Sequence, residues 1–143
     1  MALDLYKMIN PIEHSKNKEL ADKYKIEPYV IAADIYANKD MYGQGGWSWY
    51  TGAAGWYFVC LFKYILGVKI ESNIMSFEPH IPENWSFFRI KYKYKKSIYN
   101  IIIRNLSGKS GAVYKVKING VDAKNKKLFL YDDGNTYEVE VFI

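Results

Sequence analysis

Residues 43–67 read GQGGWSWYTGAAGWYFVCLFKYILG, and the second half of this stretch carries almost no charge. From Tyr50 to Leu66 the only charged side chain is Lys63, so this segment predicts a helix that is apolar nearly all round. Gly67 follows as a predicted C-cap, because glycine readily adopts the left-handed backbone that ends many helices. Such a helix must be surrounded by other protein surface.

The hydrophobic pattern differs on the two sides of this helix. Residues 2–9 predict the last turns of a helix, and residues 13–25 predict a polar surface loop. Residues 27–36 are apolar enough to be buried and fit either a helix or a strand. After residue 70 the apolar period becomes two, which is typical of strands. The strand signals are residues 89–95, 97–104, 113–118, 127–131 and 136–143, with hairpin turns predicted at Asn119-Gly120 and at 132–135.

These patterns predict an α+β chain in two parts. Residues 1–70 form the helical part, and residues 71–143 form an antiparallel β-sandwich. Because no flexible linker separates the two parts, we expect them to be closely joined.

Composition narrows the class of protein. The 14 Tyr, 7 Phe and 4 Trp suit a β-rich fold or a surface on which sugars stack. The net charge of +5 comes from scattered lysines, which indicates a solvated surface and no nucleic-acid partner. The single cysteine, Cys60, suits a reducing compartment, and its apolar neighbours predict that it is buried. Without an apolar run of about 20 residues or a signal-peptide pattern, we expect a cytoplasmic protein with no membrane partner.

The densest group of candidate functional residues directly precedes the apolar helix. The glycines of residues 43–46 let a ligand approach the backbone, and a helix beginning near Thr51-Gly52 offers free N–H groups to an anion. Three aromatic side chains offer flat faces on which a pyranose ring stacks. They are Trp47, Trp49 and Tyr50. Glycine with tryptophan before a buried helix is also a packing solution, so both interpretations stay open at this point.

Five stretches, in order, carry a wider pattern. They are INPIEH (9–14), YKIEPYVIAADIY (24–36), GGWSWYTGAAGW (45–56), ILG (65–67) and PHIPENW (79–85). Together they resemble glycoside hydrolase family 94, the inverting phosphorylases of β-glucosides. Within it they are most similar to the branch of cyclic β-1,2-glucan synthases and 1,2-β-oligoglucan phosphorylases.

The resemblance implies a fold and a phosphate site. The fold is an (α/α)6 barrel, of which this chain holds the C-terminal helices, followed by a jelly-roll-like β-sandwich. The Thr51 hydroxyl and the Gly52 backbone N–H are implied to bind inorganic phosphate, a co-substrate, with no other cofactor. Ala33 stands where cellobiose-type members have a phosphate-binding glutamine, which favours the β-1,2 branch. Gln44, implied to lie at the sugar site, stands where that branch commonly has arginine, so one expected positive charge is missing.

The resemblance also implies that the general-acid aspartate and a phosphate-binding histidine belong to motifs before Asn10-Pro11. We therefore expect no catalytic residue in this chain and no activity from the chain alone. Glu27 and Asp34 are the local carboxylates whose apolar neighbours could raise a pKa, but we prefer them as walls of the site. Two histidines and one cysteine without ligand spacing predict no metal site, and both His14 and His80 are expected to be structural or solvated.

The expected function is therefore that of the C-terminal part of a glycoside phosphorylase acting on β-glucans, most of all β-1,2-linked ones. Its partners would be a β-glucan oligosaccharide and phosphate. The alternative is a non-enzymatic carbohydrate-binding or interaction module built on the sandwich. Because wet apolar side chains forgo roughly 1.5–3 kcal/mol each, the apolar helix needs cover from a second copy, an upstream catalytic chain or its own sandwich. We expect self-association.

Overall fold

Helices precede strands in the computed structural model, which describes residues 2–49, 51–108 and 111–143. The chain folds as two units, Met1–Leu61 and Phe62–Ile143. The described α-helices lie in the first unit, and the described sheets lie in the second. This confirms the predicted α+β class and the order of its parts, while the assignment of domains at residues 70 and 71 stays a prediction. No helix in the described ranges combines the length and the apolar character needed to cross a membrane.

Three short helices open the first unit. They are α1 (Ala2–Met8), α2 (Pro11–Ser15) and α3 (Lys18–Tyr24). The prediction of a loop over residues 13–25 was wrong, because α2 and α3, each capped by an asparagine, cover most of this polar stretch. The Asn10 side chain accepts a hydrogen bond from the Ile12 N–H at 3.0 Å, and the Asn17 side chain accepts one from the Leu20 N–H at 2.9 Å.

The apolar segment is helical, as predicted. Helix α4 runs over Thr51–Val59, and the chain continues as a π-helical segment over Cys60–Ile65. Gly67 follows with a φ of 67°, the left-handed conformation expected of it. No residue of α4 is buried, and Cys60 is exposed, so the prediction of a buried cysteine was wrong. Because α4 is apolar on every side, its apolar side chains are exposed wherever no other part of the chain packs against the helix.

Within the described residues of the second unit, eight strands form two sheets. They are β1 (Val68–Glu71), β2 (Ile74–Phe77), β3 (Phe87–Tyr94), β4 (Ser97–Arg104), β5 (Lys115–Ile118), β6 (Val121–Asp122), β7 (Leu128–Phe129) and β8 (Thr136–Phe142). The smaller sheet has the order β1-β2-β7, and the larger has the order β3-β4-β8-β5-β6. Strands β4 and β8 run parallel, so the larger sheet is mixed where the sequence predicted antiparallel pairing.

The two predicted hairpins had different outcomes. At Asn119-Gly120 both residues have positive φ and β5 pairs with β6, which confirms the first hairpin. The second, at residues 132–135, was wrong, because β7 pairs with β2 and β8 pairs with β4 and β5. This turn is held instead to the beginning of β4, where the buried Ser97 hydroxyl donates to Asp133 and accepts from the Asp133 and Gly134 N–H groups.

Both sheets contribute to one hydrophobic core. Met75 and Leu128 of the smaller sheet belong to the same buried cluster as Ile101, Ile103 and Val141 of the larger one. Along β4, buried and half-buried residues alternate, as expected of a strand with one face on the core. The second unit therefore has two sheets around a shared interior.

Candidate functional site

A ladder of backbone hydrogen bonds holds the loop before α4. Residues 33–36 run beside residues 44–47, with an isolated β-bridge between Ile35 and Gly45. Residues 27–36, predicted as helix or strand, therefore form irregular chain with one bridge. The bonds run from Ala33 N–H to Trp47 O (2.8 Å), from Gly46 N–H to Asp34 O (2.9 Å) and from Tyr36 N–H to Gln44 O (2.9 Å). The backbone of the predicted site residues is thus fixed on both sides of the loop.

The glycines of this region serve two different purposes. A Cβ on Gly46 would lie 2.2 Å from the Asp34 Oδ1 atom, and one on Gly45 would lie 2.5 Å from the Ile26 Cδ1 atom. These two glycines are therefore needed for packing. Gly52 differs, because a Cβ there would meet no atom within 4 Å. Gly45 and Gly46 therefore lie against neighbouring side chains, whereas Gly52 faces open space, and the binding role of this region stays a prediction.

Two predicted sugar-binding tryptophans are exposed, and one of them, Trp49, has defined side-chain partners. The side chains of Trp47 and Trp49 are 72% and 63% exposed. The Trp49 indole N–H donates to the Glu27 carboxylate at 3.0 Å, and the Tyr29 ring meets Trp49 edge-on at 6.3 Å between centroids. Trp49 also has a φ of 62°, a left-handed backbone that is uncommon for a bulky residue and concentrates at functional sites. Tyr50, the third predicted aromatic, lies outside the described residues.

Sequence reasoning missed Tyr29. It lies in the stretch that carries the family resemblance and is 74% exposed, beside Trp49. Its position after Pro28 in an apolar segment suggested a buried residue, and only the fold of the loop brings the two rings together.

Glu27 is held in its ionised form. A hydrogen bond from its own backbone N–H and then the bond from the Trp49 indole keep the pKa of this carboxyl below its ordinary value. The apolar neighbours of Glu27 therefore do not raise its pKa, and its place as a wall of the site stays a prediction. A carboxylate in this state accepts hydrogen bonds and does not supply a proton near neutral pH.

The other two loop residues predicted at the site take different positions. The exposed Asp34 carboxylate lies against the Cα of Gly46. Gln44 is half-buried, and its backbone N–H donates to the Met41 carbonyl at 2.9 Å. Both therefore lie on the hydrogen-bonded loop, with Asp34 on the strand-like side opposite Gly46.

Thr51 and Gly52, the predicted phosphate-binding residues, are the first two residues of α4. Both are exposed, and the first turn of α4 contains no acidic residue. The beginning of α4 is thus exposed, and the partial positive charge of a helix beginning favours an anion there, without a carboxylate in that turn to repel it.

The histidines have structural or solvated positions. The His14 ring bonds the Met8 carbonyl through Nε2 at 2.6 Å and stacks on Tyr24 at 5.0 Å between centroids. This confirms the structural role preferred for His14, and His80 is exposed. The described ranges contain no group of three or more histidine, cysteine or acidic side chains that could hold a metal ion.

Comparison with known proteins matches residues 1–67 to the Glycosyl hydrolase 94 superfamily, catalytic domain. The chain is 34% identical over 120 residues to cyclic beta-(1,2)-glucan synthase NdvB of Rhizobium meliloti (strain 1021), which covers 84% of this chain and 4% of that protein. It is 29% identical over 128 residues to N,N'-diacetylchitobiose phosphorylase of Vibrio furnissii, with 87% and 16% covered. It is 28% identical over 141 residues to solabiose phosphorylase of Paenibacillus borealis, with 98% and 18% covered.

The chain therefore spans between 4% and 18% of the length of these relatives. Their names describe one glucan synthase and two phosphorylases, and the matches cover most of this chain. The chain belongs to the glycosyl hydrolase 94 superfamily, and residues 1–67 match its catalytic domain.

Proposed function

We propose that the chain is part of a glycoside phosphorylase or glycosyltransferase acting on β-glucans, to which it contributes phosphate- and sugar-binding residues. The observation that carries this proposal is the pair of exposed tryptophans Trp47 and Trp49, named here the platform, with Glu27 bonded to Trp49 and α4 beginning at Thr51. The 34% identity to a cyclic beta-(1,2)-glucan synthase supports β-1,2-linked glucans as the substrate class. The first unit would then be the closing part of an (α/α)6 barrel, and the second a jelly-roll-like sandwich.

The site residues have distinct roles in this proposal. The Thr51 hydroxyl and the Gly52 N–H bind inorganic phosphate at the beginning of α4, where helix N–H groups favour anions. The pyranose ring stacks on Trp47 and Trp49, and the Glu27 carboxylate accepts a hydrogen bond from a sugar hydroxyl. Inverting phosphorolysis needs one carboxylic acid to protonate the leaving oxygen. The lowered pKa of Glu27 makes this residue unsuitable for that step. In this proposal the acid is the aspartate that the family resemblance places before Asn10-Pro11.

Two assays test this function. The chain is expected to release no glucose 1-phosphate from sophorose or longer β-1,2-glucans in the presence of phosphate. Phosphate-dependent release by the chain alone would show that it contains its own acid and would contradict the assigned roles. In a titration with β-1,2-gluco-oligosaccharides, Trp49→Ala is expected to weaken binding about fivefold or more, since stacking on an aromatic ring contributes about 1 kcal/mol.

At chain concentrations too low for self-association, Trp56→Ala is the matched control, because Trp56 is similarly exposed, at 71%, but lies in α4 beyond the platform. Glucan affinity is expected to stay within twofold of the original chain in this variant. Equal losses in the Trp49 and Trp56 variants would show that the platform has no special role.

We also propose that α4 forms a protein–protein interface, and that a second copy of the chain binds there. Trp56 and Phe58 are 71% and 61% exposed, and burying a large apolar side chain gains roughly 1.5–3 kcal/mol. The competing proposal is that another part of a family 94 catalytic domain packs against α4. Light scattering over a range of concentrations tests the proposal: mass should rise with concentration, and a monodisperse monomer at high concentration would refute self-association.

A further inference from the structure

The second unit has an open groove that the proposed phosphorylase site does not use. It lies across β3, β4 and β8 of the larger sheet and has a volume of about 490 Å³. This volume falls within the range of roughly 300–1,000 Å³ that small-ligand sites occupy. The polar lining consists of Arg89, Lys91, Asn100, Arg104, Glu138 and Glu140.

The strand register arranges this lining in two rows across the sheet. One row runs from Lys91 through Asn100 to Glu138, and the other from Arg89 through Ile102 to Glu140. The rows lie two residues, or roughly 7 Å, apart along the strands. Each row therefore places a hydrogen-bond donor on β3 opposite a carboxylate on β8.

Most of these groups keep hydrogen-bonding capacity for a ligand. The Asn100 side chain donates to Glu138 Oε1 at 2.6 Å, and Arg104 donates to Glu140 Oε1 at 3.2 Å. Both bonds use the Oε1 atom and leave Oε2 outside the pair. Among the described residues, Lys91 has neither an ion-pair nor a hydrogen-bond partner.

The guanidinium of Arg89 is also positioned without a hydrogen bond to the sheet. It stacks on the Phe87 ring at 4.7 Å, which orients its plane and leaves its N–H edge available. The groove therefore has donors along β3 and acceptors along β8.

The mixture of cationic and acidic side chains in the groove indicates which class of ligand it can bind. Three cations and two carboxylates line the groove, so an anion would face Glu138 and Glu140, and a cation would face Arg89 and Lys91. A flat aromatic ligand would need a broad apolar floor, whereas the outward-facing apolar side chain between the two walls is Ile102. A hydroxyl group both donates and accepts, and so satisfies both walls at once.

We infer that this groove binds a neutral oligosaccharide, and that the ligand is a short segment of the β-glucan on which the catalytic part of the enzyme acts. The identity of the sugar rests on the proposed function, but the site uses none of residues 27–52. A second glucan contact would keep a polymeric substrate attached between catalytic events by raising its effective concentration.

Backbone amide shifts of the ¹⁵N-labelled chain, titrated with a β-1,2-linked glucose trisaccharide, test the inference. The amides of residues 89–91, 100–104 and 138–140 are expected to shift together. Lys91→Ala should raise the dissociation constant of this set about fivefold, the cost of a lost charged hydrogen bond at an exposed site. Lys93→Ala is the matched control, since Lys93 lies two residues along β3 on the same face, outside the groove lining. In the Lys93→Ala variant the dissociation constant should stay within twofold of that of the original chain.

A Trp47→Ala/Trp49→Ala variant separates this inference from the proposed function. The groove amides should respond to the trisaccharide in this variant as they do in the original chain. Shifts confined to residues 27–52, equal effects of Lys91→Ala and Lys93→Ala, or groove shifts with inorganic phosphate and none with the sugar would each overturn the inference. The first of these results would leave the platform of Trp47 and Trp49 intact.

Discussion

Gly67 is the position where one added methyl group should cost the second unit most. Its φ of 67° is left-handed, which costs a residue with a side chain roughly 1–2 kcal/mol. An added Cβ would also lie 2.0 Å from the Glu78 carbonyl oxygen, a backbone atom in a segment held by the bond from Glu78 N–H to Gly67 O at 2.7 Å. Overpacking of this kind costs about 1–3 kcal/mol. Gly67→Ala should therefore lower the free energy of unfolding by about 2–5 kcal/mol.

Gly120→Ala separates the two contributions. Gly120 has a φ of 82°, but a Cβ there would meet no atom within 4 Å, so its loss should be only about 1–2 kcal/mol. Urea unfolding, followed by the amide signals of Val68 and Met75 in the smaller sheet, measures both variants. Equal losses for Gly67→Ala and Gly120→Ala would refute the contact between Gly67 and the Glu78 carbonyl.

Three further predictions concern single side chains. Ser97→Ala should lower the free energy of unfolding of the second unit by about 1–3 kcal/mol in urea, because two N–H groups lose their acceptor. The Tyr137 hydroxyl and the Asn135 N–H hold the pKa of Asp133 well below its ordinary value, so stability should fall as pH drops below that ordinary value, and Asp133→Asn should flatten this dependence in acid unfolding. The Cys60 thiol should react with a disulfide reagent at a rate near that of a free thiol in dilute chain and more slowly as the chain associates; slow reaction at every concentration would contradict its exposure.

Local signals in the sequence were sufficient for much of the fold. The β-branched run of β4, the apolar run of α4 and the Asn119-Gly120 turn each depend on neighbouring residues, and each was predicted correctly. Pairing between distant strands has no such local signal. The turn at residues 132–135 resembled a hairpin, but Ser97, 36 positions away from Asp133, binds it to the beginning of β4.

The candidate site also has features that local sequence signals predict and features that depend on contacts between distant residues. The platform tryptophans were predicted from residue type, but the bond between Glu27 and Trp49 joins residues 22 positions apart, so no local signal indicated the bond or its effect on the Glu27 pKa. Burial of Cys60 was misjudged because apolar neighbours indicate a buried residue only where other chain covers them. The two capped helices α2 and α3 show that polar composition alone does not indicate a loop.

The assignment of phosphate binding to the beginning of α4 is the central claim, and a phosphate titration of the ¹⁵N-labelled chain tests it most directly. The Gly52 amide, which is exposed and has open space around its Cα, should shift in a saturable manner with inorganic phosphate. Thr51→Ala should weaken this response about fivefold, since it removes one hydrogen bond to a charged ligand and leaves the helix in place. An unchanged Gly52 amide in the original chain, or an equal response after Thr51→Ala, would contradict the assignment.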